Sequence, residues 1–94
     1  MLVLTRYRVA DSEAPSFATQ AEAALAALSA RTGFLDGHVA RNVDDPQLWT
    51  LTTRWDAVGS YRRALSGFEV KTTAVPLLSR AIDEPSAYEI TSTR

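Results

Sequence analysis

The sequence contains no cysteine. Disulfide scaffolds, thiolate metal sites, iron–sulfur clusters and cysteine nucleophiles are therefore excluded. It contains a single histidine, His38, and one histidine with scattered carboxylates makes no case for a metal centre. Neither charge is in excess: 10 basic and 11 acidic residues give a formal net charge of −1. Nucleic acid and anionic membranes are bound by basic surfaces, so neither is an expected partner. No apolar run approaches the roughly 20 residues that cross a bilayer. Met1 to Val9 has arginines inside its apolar stretch and is too short for a signal peptide, so a cytoplasmic protein is the default expectation. Phosphate-binding glycine loops, Ser–His–Asp arrangements, zinc motifs, repeats and low-complexity segments are also missing.

What remains is ordinary globular chemistry. The chain has 94 residues, 46% hydrophobic and 22% charged, which suits one domain over residues 1–94. A chain this short buries only about two thirds of its unfolded surface, so a partner subunit would add stability.

Periodicity places the elements. Met1–Val9 alternates as a strand, with Val3, Thr5, Tyr7 and Val9 on one face and Leu2, Leu4, Arg6 and Arg8 on the other. Pro15 suits a first helical turn. From there to Arg31, the residues Phe17, Ala21, Ala24, Leu25 and Leu28 form one helical stripe, with Gly33 just beyond it for a left-handed turn. Phe34–Val43 and Leu48–Trp55 read as strands joined by the turn Asp44-Asp45-Pro46. Asp56 is a plausible N-cap for a helix to Ser66, with Val58, Tyr61 and Leu65 inward and Phe68 continuing the line past Gly67. Glu69–Ala81 is helical in spacing but must break or kink at Pro76. Ser86–Ser92 is the last strand. The order strand, helix, strand, strand, helix, strand predicts an α+β ferredoxin-like fold, βαββαβ, with a four-stranded antiparallel sheet and helices on one face.

The two sheet faces differ. Val3, Tyr7, Val9, Trp49, Leu51 and Trp55 should lie under the helices, while Leu2, Leu4, Arg6, Arg8, Leu48, Thr50, Thr52 and Arg54 should lie on the bare face. That mixture of aliphatic, Thr and Arg side chains suits a wet homodimer interface, and it suits a solvated face equally.

Gly33-Phe34-Leu35, the turn Asp44-Asp45-Pro46, and Leu51-Thr52-Thr53-Arg54-Trp55 followed by Tyr61 resemble the antibiotic-biosynthesis-monooxygenase family. In that family a Gly-Phe pair opens strand two, an acidic-Pro turn closes it, and a Trp ends strand three with an aromatic six positions on. The resemblance implies a dimeric α/β barrel. It also implies oxygenation of phenols, anthrones or quinols by O2 without metal, flavin or other cofactor. Trp55 and Tyr61 carry over as catalytic residues, each with a flat apolar surface and one polar hydrogen. The inward positions around them, Thr5, Tyr7, Leu51, Thr53, Leu65 and Phe68, are the expected substrate-binding residues. The aromatic-polyketide oxygenase members also carry an Asn on strand three before the Trp; here Leu51 and Thr53 hold that face. Haem-degrading relatives use a strand-one Asn and a helix His. Thr5 and Ala64 stand in those regions, so haem is not expected.

Other readings stay open. Trp55 and Tyr61 also suit a plain aromatic core. His38 shares a strand face with Asp36, which could orient it as a general base, or it could be a surface or interface residue. A non-catalytic dimeric module that binds a small ligand, and an isomerase or cyclase on the same scaffold, both fit the fold. An enclosed pocket walled by Trp55 and Tyr61 would favour an enzyme on a small aromatic or quinol-like substrate. An interior filled by Phe17, Leu25, Leu51 and Phe68 would favour the module.

Overall fold

The computed structural model describes residues 1–94. Its elements are β1 (Leu2–Arg8), a single 3₁₀ turn (Asp11–Glu13), α1 (Ala14–Ser29), β2 (Phe34–Arg41), β3 (Leu48–Trp55), α2 (Val58–Ala64), α3 (Phe68–Thr73), α4 (Val75–Leu78) and β4 (Ala87–Tyr88). The sheet is antiparallel in the order β2-β3-β1-β4, which is the ferredoxin-like arrangement.

The β1–β3 register pairs Val3 with Thr53, Thr5 with Leu51 and Tyr7 with Trp49. These residues face the helices. Leu2 with Arg54, Leu4 with Thr52, Arg6 with Thr50 and Arg8 with Leu48 face away, as the alternation requires. Under the helices, Val3, Tyr7, Leu51 and Trp55 join Phe17, Ala21, Ala24 and Leu28 of α1 in the core, with Val70, Ala74 and Leu77 from the later helices. Rings of Tyr7, Phe17 and Trp49 follow one another with centroids 5.1 and 5.3 Å apart. The Trp49 indole N–H is the one buried side-chain polar atom left without a partner, and the Arg41 guanidinium lies over its ring.

Local chemistry sets the connections. Asn42 ends β2 early, at Arg41 rather than Val43, because its Oδ1 accepts the Asp44 and Asp45 N–H groups. This is an Asx-type turn. A bulge between Phe34 and Asp36 turns Phe34 inward, edge-on to Trp55 at 5.3 Å, and turns Asp36 outward to Arg54. Gly33 has φ of +92° and leads into β2.

Four expectations need correction. Ala57, not Asp56, is the N-cap of α2; the Asp56 carboxylate instead accepts from the Ser60 hydroxyl. The inward positions of α2 are Ser60 and Ala64, while Val58 is exposed. The segment 69–81 is not one kinked helix but two short ones meeting at Ala74, since Pro76 fits only a first turn. Strand β4 is two residues long rather than seven. Ile82 and Ser86 already bond the β1 edge before it, and residues 89–94 take no regular structure.

On the bare face, every ion pair in the structure involves one of its arginines. Arg6 pairs with Glu84, Arg8 with Asp45 and Arg54 with Asp36. Leu2, Leu4, Leu48, Thr50 and Thr52 are half-buried there.

Candidate active site

The end of β3, the middle of β1 and the start of α2 converge beneath the helices. Trp55 is 1% exposed. Its indole N–H donates to the Thr53 Oγ1 at 2.9 Å, two residues back on the same strand face. The Trp55 and Tyr61 rings lie with centroids 5.6 Å apart, tilted by 55°. Thr5 Oγ1 and the Tyr7 hydroxyl are 2.9 Å apart, and Thr5 Oγ1 also donates to the Leu51 carbonyl. Buried Thr5, Tyr7, Leu51, Thr53 and Trp55, with half-buried Tyr61, therefore form one cluster with four hydroxyls.

Burial holds both phenols in the neutral form. It pushes Tyr61 above its ordinary pKa with no opposing partner. Tyr7 is also raised, first by burial; the Thr5 hydrogen bond and the more distant Arg80 pull back, and Tyr61 pushes the same way. A protonated phenol in an apolar surrounding is a hydrogen-bond donor, not a base. This cluster can polarise or hold an oxyanion and cannot by itself accept a proton at neutral pH.

The pocket expected at Trp55 and Tyr61 does not exist as an open space. Neither residue lines any of the four cavities. Phe17, Leu51 and Ala64 fill the interior beside them, each 2% exposed or less. Of the cluster, only Thr5 borders a cavity, one of about 290 Å³ between β1 and the segment following α4. Leu65 packs half-buried at the rim of the core. Phe68 is 77% exposed and cannot line the site, because Gly67 is the extended N-cap of a new helix rather than a continuation of α2. His38 is exposed on the bare face, opposite Thr52, and the sheet separates it from Trp55 and Tyr61. Its expected orienter, Asp36, is held by two hydrogen-bonded nitrogens of Arg54. No three His, Asp or Glu side chains come together as a metal-ligand group.

Sequence reasoning missed Ser60. It is 5% exposed, donates to Asp56 and accepts from Arg63. It also abuts Gly33 so closely that a Cβ there would sit 2.5 Å from Ser60 Cβ. The paired occurrence of Gly33 and a small residue at 60 was the available signal.

Comparison with known proteins bears on this arrangement. The sequence profile of the family described as antibiotic biosynthesis monooxygenase matches residues 1–74, and the chain belongs to that family. No curated protein matches its sequence. Among solved structures, the chain is similar to a mutant form of SnoaB, a cofactor-independent oxygenase from Streptomyces nogalater. The TM-score is 0.78 at 19% identity, covering 98% of this chain and 93% of that one. A candidate antibiotic biosynthesis monooxygenase from Deinococcus radiodurans matches with TM-score 0.77 at 18% identity, covering 100% and 96%. A conserved protein from Methanosarcina mazei matches at 0.74 and 20%, covering 92% and 84%. At these identities the likeness shows a shared fold. No helix is long and apolar enough to cross a membrane.

Proposed function

We propose that the protein is a cofactor-independent monooxygenase acting on a hydroxylated aromatic or quinol, with Trp55 and Tyr61 at its reacting end. The observation that carries this reading is the half-buried Tyr61 beside the Trp55 ring, its pKa raised by burial and its hydroxyl bonded to no protein group. Family membership supports it. The hydroxyl hydrogen of Tyr61 is not engaged by the protein and can be donated to a bound oxyanion.

In this reading the substrate supplies the electrons. Bound as the neutral acid, it gives its proton to water, the resulting phenolate or enolate passes one electron to O2, and the radical pair combines to a peroxide. Loss of water then leaves a ring CH2 as C=O, with the second oxygen atom in the water. The cluster around Trp55 contains no carboxylate or imidazole, so it favours substrates that ionise easily, anthrones and quinols above simple phenols. Thr53 already occupies the Trp55 N–H, which leaves Tyr61 as the main oxyanion donor.

Two copies are proposed to pair through the bare sheet face. Its arginines are already neutralised in ion pairs, and its aliphatic and Thr side chains are half-covered. The filled interior around Trp55 favours a second reading, a non-catalytic ligand-binding module.

Oxygen uptake with a panel of anthrones and hydroquinones, corrected for autoxidation, decides between them. The wild type should exceed autoxidation, and Tyr61→Phe should slow turnover by about 10²-fold. Uptake no faster than autoxidation would overturn the monooxygenase reading. Equal activity of both forms would return Tyr61 to the core.

A further inference from the structure

The cavity beside Thr5 lies where the sheet edge is interrupted. The Leu4 N–H donates to the Ser86 carbonyl at 2.7 Å, and the Ile82 N–H donates to the Arg6 carbonyl at 2.8 Å. Between these two bonds residues 83–85 leave the β1 edge, and the gap opens onto Thr5. We propose that this gap is the ligand port of the domain. It takes a neutral one- or two-ring aromatic bearing a free hydroxyl and excludes anions. For its role in catalysis this rests on the function proposed above, but the binding claim stands on the cavity alone.

Size sets the first limit. A cavity of about 150 Å³ takes a benzene ring, and drug-sized pockets begin at about 300 Å³. The port, at about 290 Å³, suits one or two fused rings. Its wall has aliphatic faces from Leu4, Leu78 and Ile82 for the ring body.

Hydrogen-bond accounting sets the second. A threonine hydroxyl has one hydrogen, and Thr5 gives it to the Leu51 carbonyl. The 2.9 Å contact with Tyr7 must then run from the Tyr7 O–H to Thr5. Only a lone pair remains on the Thr5 oxygen, and of the two residues Thr5 alone borders the cavity. A ligand meeting it must donate: a hydroxyl fits, whereas an ether or carbonyl does not.

Charge sets the third. Asp83 and Glu84 line the port and no basic side chain does. Arg6 engages Glu84 through two nitrogens, so Asp83 is the carboxylate left to repel an anion.

The test is calorimetric titration of the intact protein at neutral pH with 2-naphthol, 2-methoxynaphthalene and 2-naphthoate. The naphthol should bind one to one, and the ether and the carboxylate roughly tenfold or more weakly, as expected for an unpaired buried acceptor and a repelled charge. Asp83→Asn, an exposed change, should narrow the gap between naphthol and naphthoate. Ala81→Trp should fill the port and abolish naphthol binding. Amide shift mapping on the wild type should place naphthol at Leu4, Thr5, Ile82 and Ser86, which keeps the test decisive if Ala81→Trp does not fold. Failure of naphthol to bind, equal binding of the ether or naphthoate, or shifts at the separate cleft of Met1, Val58 and Ile90 would overturn the proposal. Naphthol binding without oxygen uptake on any substrate would overturn the oxygenase reading and support the port. Undiminished uptake by a folded Ala81→Trp variant would do the reverse.

Discussion

Replacing Gly33 with alanine strikes the joint that sets α2 against the sheet. The perturbation has two separable parts. An L-residue at φ +92° incurs left-handed backbone strain of about 1–2 kcal/mol. Its Cβ would also lie 2.5 Å from Ser60 Cβ and Oγ and 2.6 Å from Asp56 Oδ1. No side-chain rotation clears a Cβ–Cβ approach of that length, so α2 must move or Ser60 must shift, costing about 1–3 kcal/mol as overpacking. Together the change should destabilise by about 2–5 kcal/mol, against a total of about 5–14 kcal/mol for a chain of this length. At about 4–8 °C per kcal/mol, the melting temperature should fall by roughly 8–40 °C. A double-mutant cycle with Ser60→Gly separates the parts, because removing the Ser60 Cβ relieves the contact and leaves the strain. The assay is urea unfolding followed by far-UV circular dichroism, with slopes compared to confirm that only stability has changed. If Gly33→Ala costs the same in both backgrounds, the close approach is not what fixes glycine there. A cost below about 1 kcal/mol would refute both parts.

Three further expectations follow from other contacts. Thr53→Val keeps the side-chain shape but leaves the buried Trp55 N–H unpaired, and urea unfolding should show a loss of about 1–3 kcal/mol. The carboxyls of Glu84, Asp36 and Asp45 are each held below their ordinary pKa first by hydrogen bonds from Arg6, Arg54 and Arg8. Because the folded values lie below the unfolded ones, this stabilisation is complete above the ordinary carboxylate pKa and is lost as pH falls through the folded values. Melting temperature should therefore be flat through neutral pH and drop only in acid; a drop beginning near neutrality would contradict it. Light scattering at low micromolar concentration should give the mass of a dimer, and Thr52→Asp, at the centre of the bare face, should shift it to a folded monomer. A folded wild-type monomer would remove the dimer.

The sheet was legible because its alternation is strong: Val3, Thr5 and Tyr7 against Leu2, Leu4 and Arg6 fixed both faces, and the observed register agrees. The stripe of α1 was legible through Phe17 and Leu28. The later helices were not. Ser60 and Ala64 carry little hydrophobic signal, yet their small size is what lets α2 approach Gly33 and the core, and hydropathy points inward a Val58 that the structure leaves exposed. Phe68 continued that line on paper, but the chain re-enters a new helix at Gly67 and leaves it exposed. Strand β4 shortened because bonds from Ile82 and Ser86 use the β1 edge, and no sequence pattern marks backbone bonds from a loop. For the site, proximity of Trp55 and Tyr61 followed from their spacing. That Thr53 would occupy the indole N–H, and that the opening would lie at Thr5, depends on side-chain directions that spacing does not encode.

The strand order also governs when the chain can fold. β1 sits in the interior of the sheet, yet its partners are β3 and β4, and the Met1 amino group bonds the Trp55 carbonyl 54 positions away. Nothing near β1 in sequence can pair with it. The β2–β3 hairpin, joined by the Asn42-centred turn, closes a short loop and can form at once. During synthesis β1 emerges first and must wait, with Val3, Tyr7 and Val9 uncovered, until Trp55 has left the ribosome. Completion of the fold is thus limited by a long-range strand insertion rather than by helix formation. The interval before it is when this chain is most exposed to mispairing with another copy.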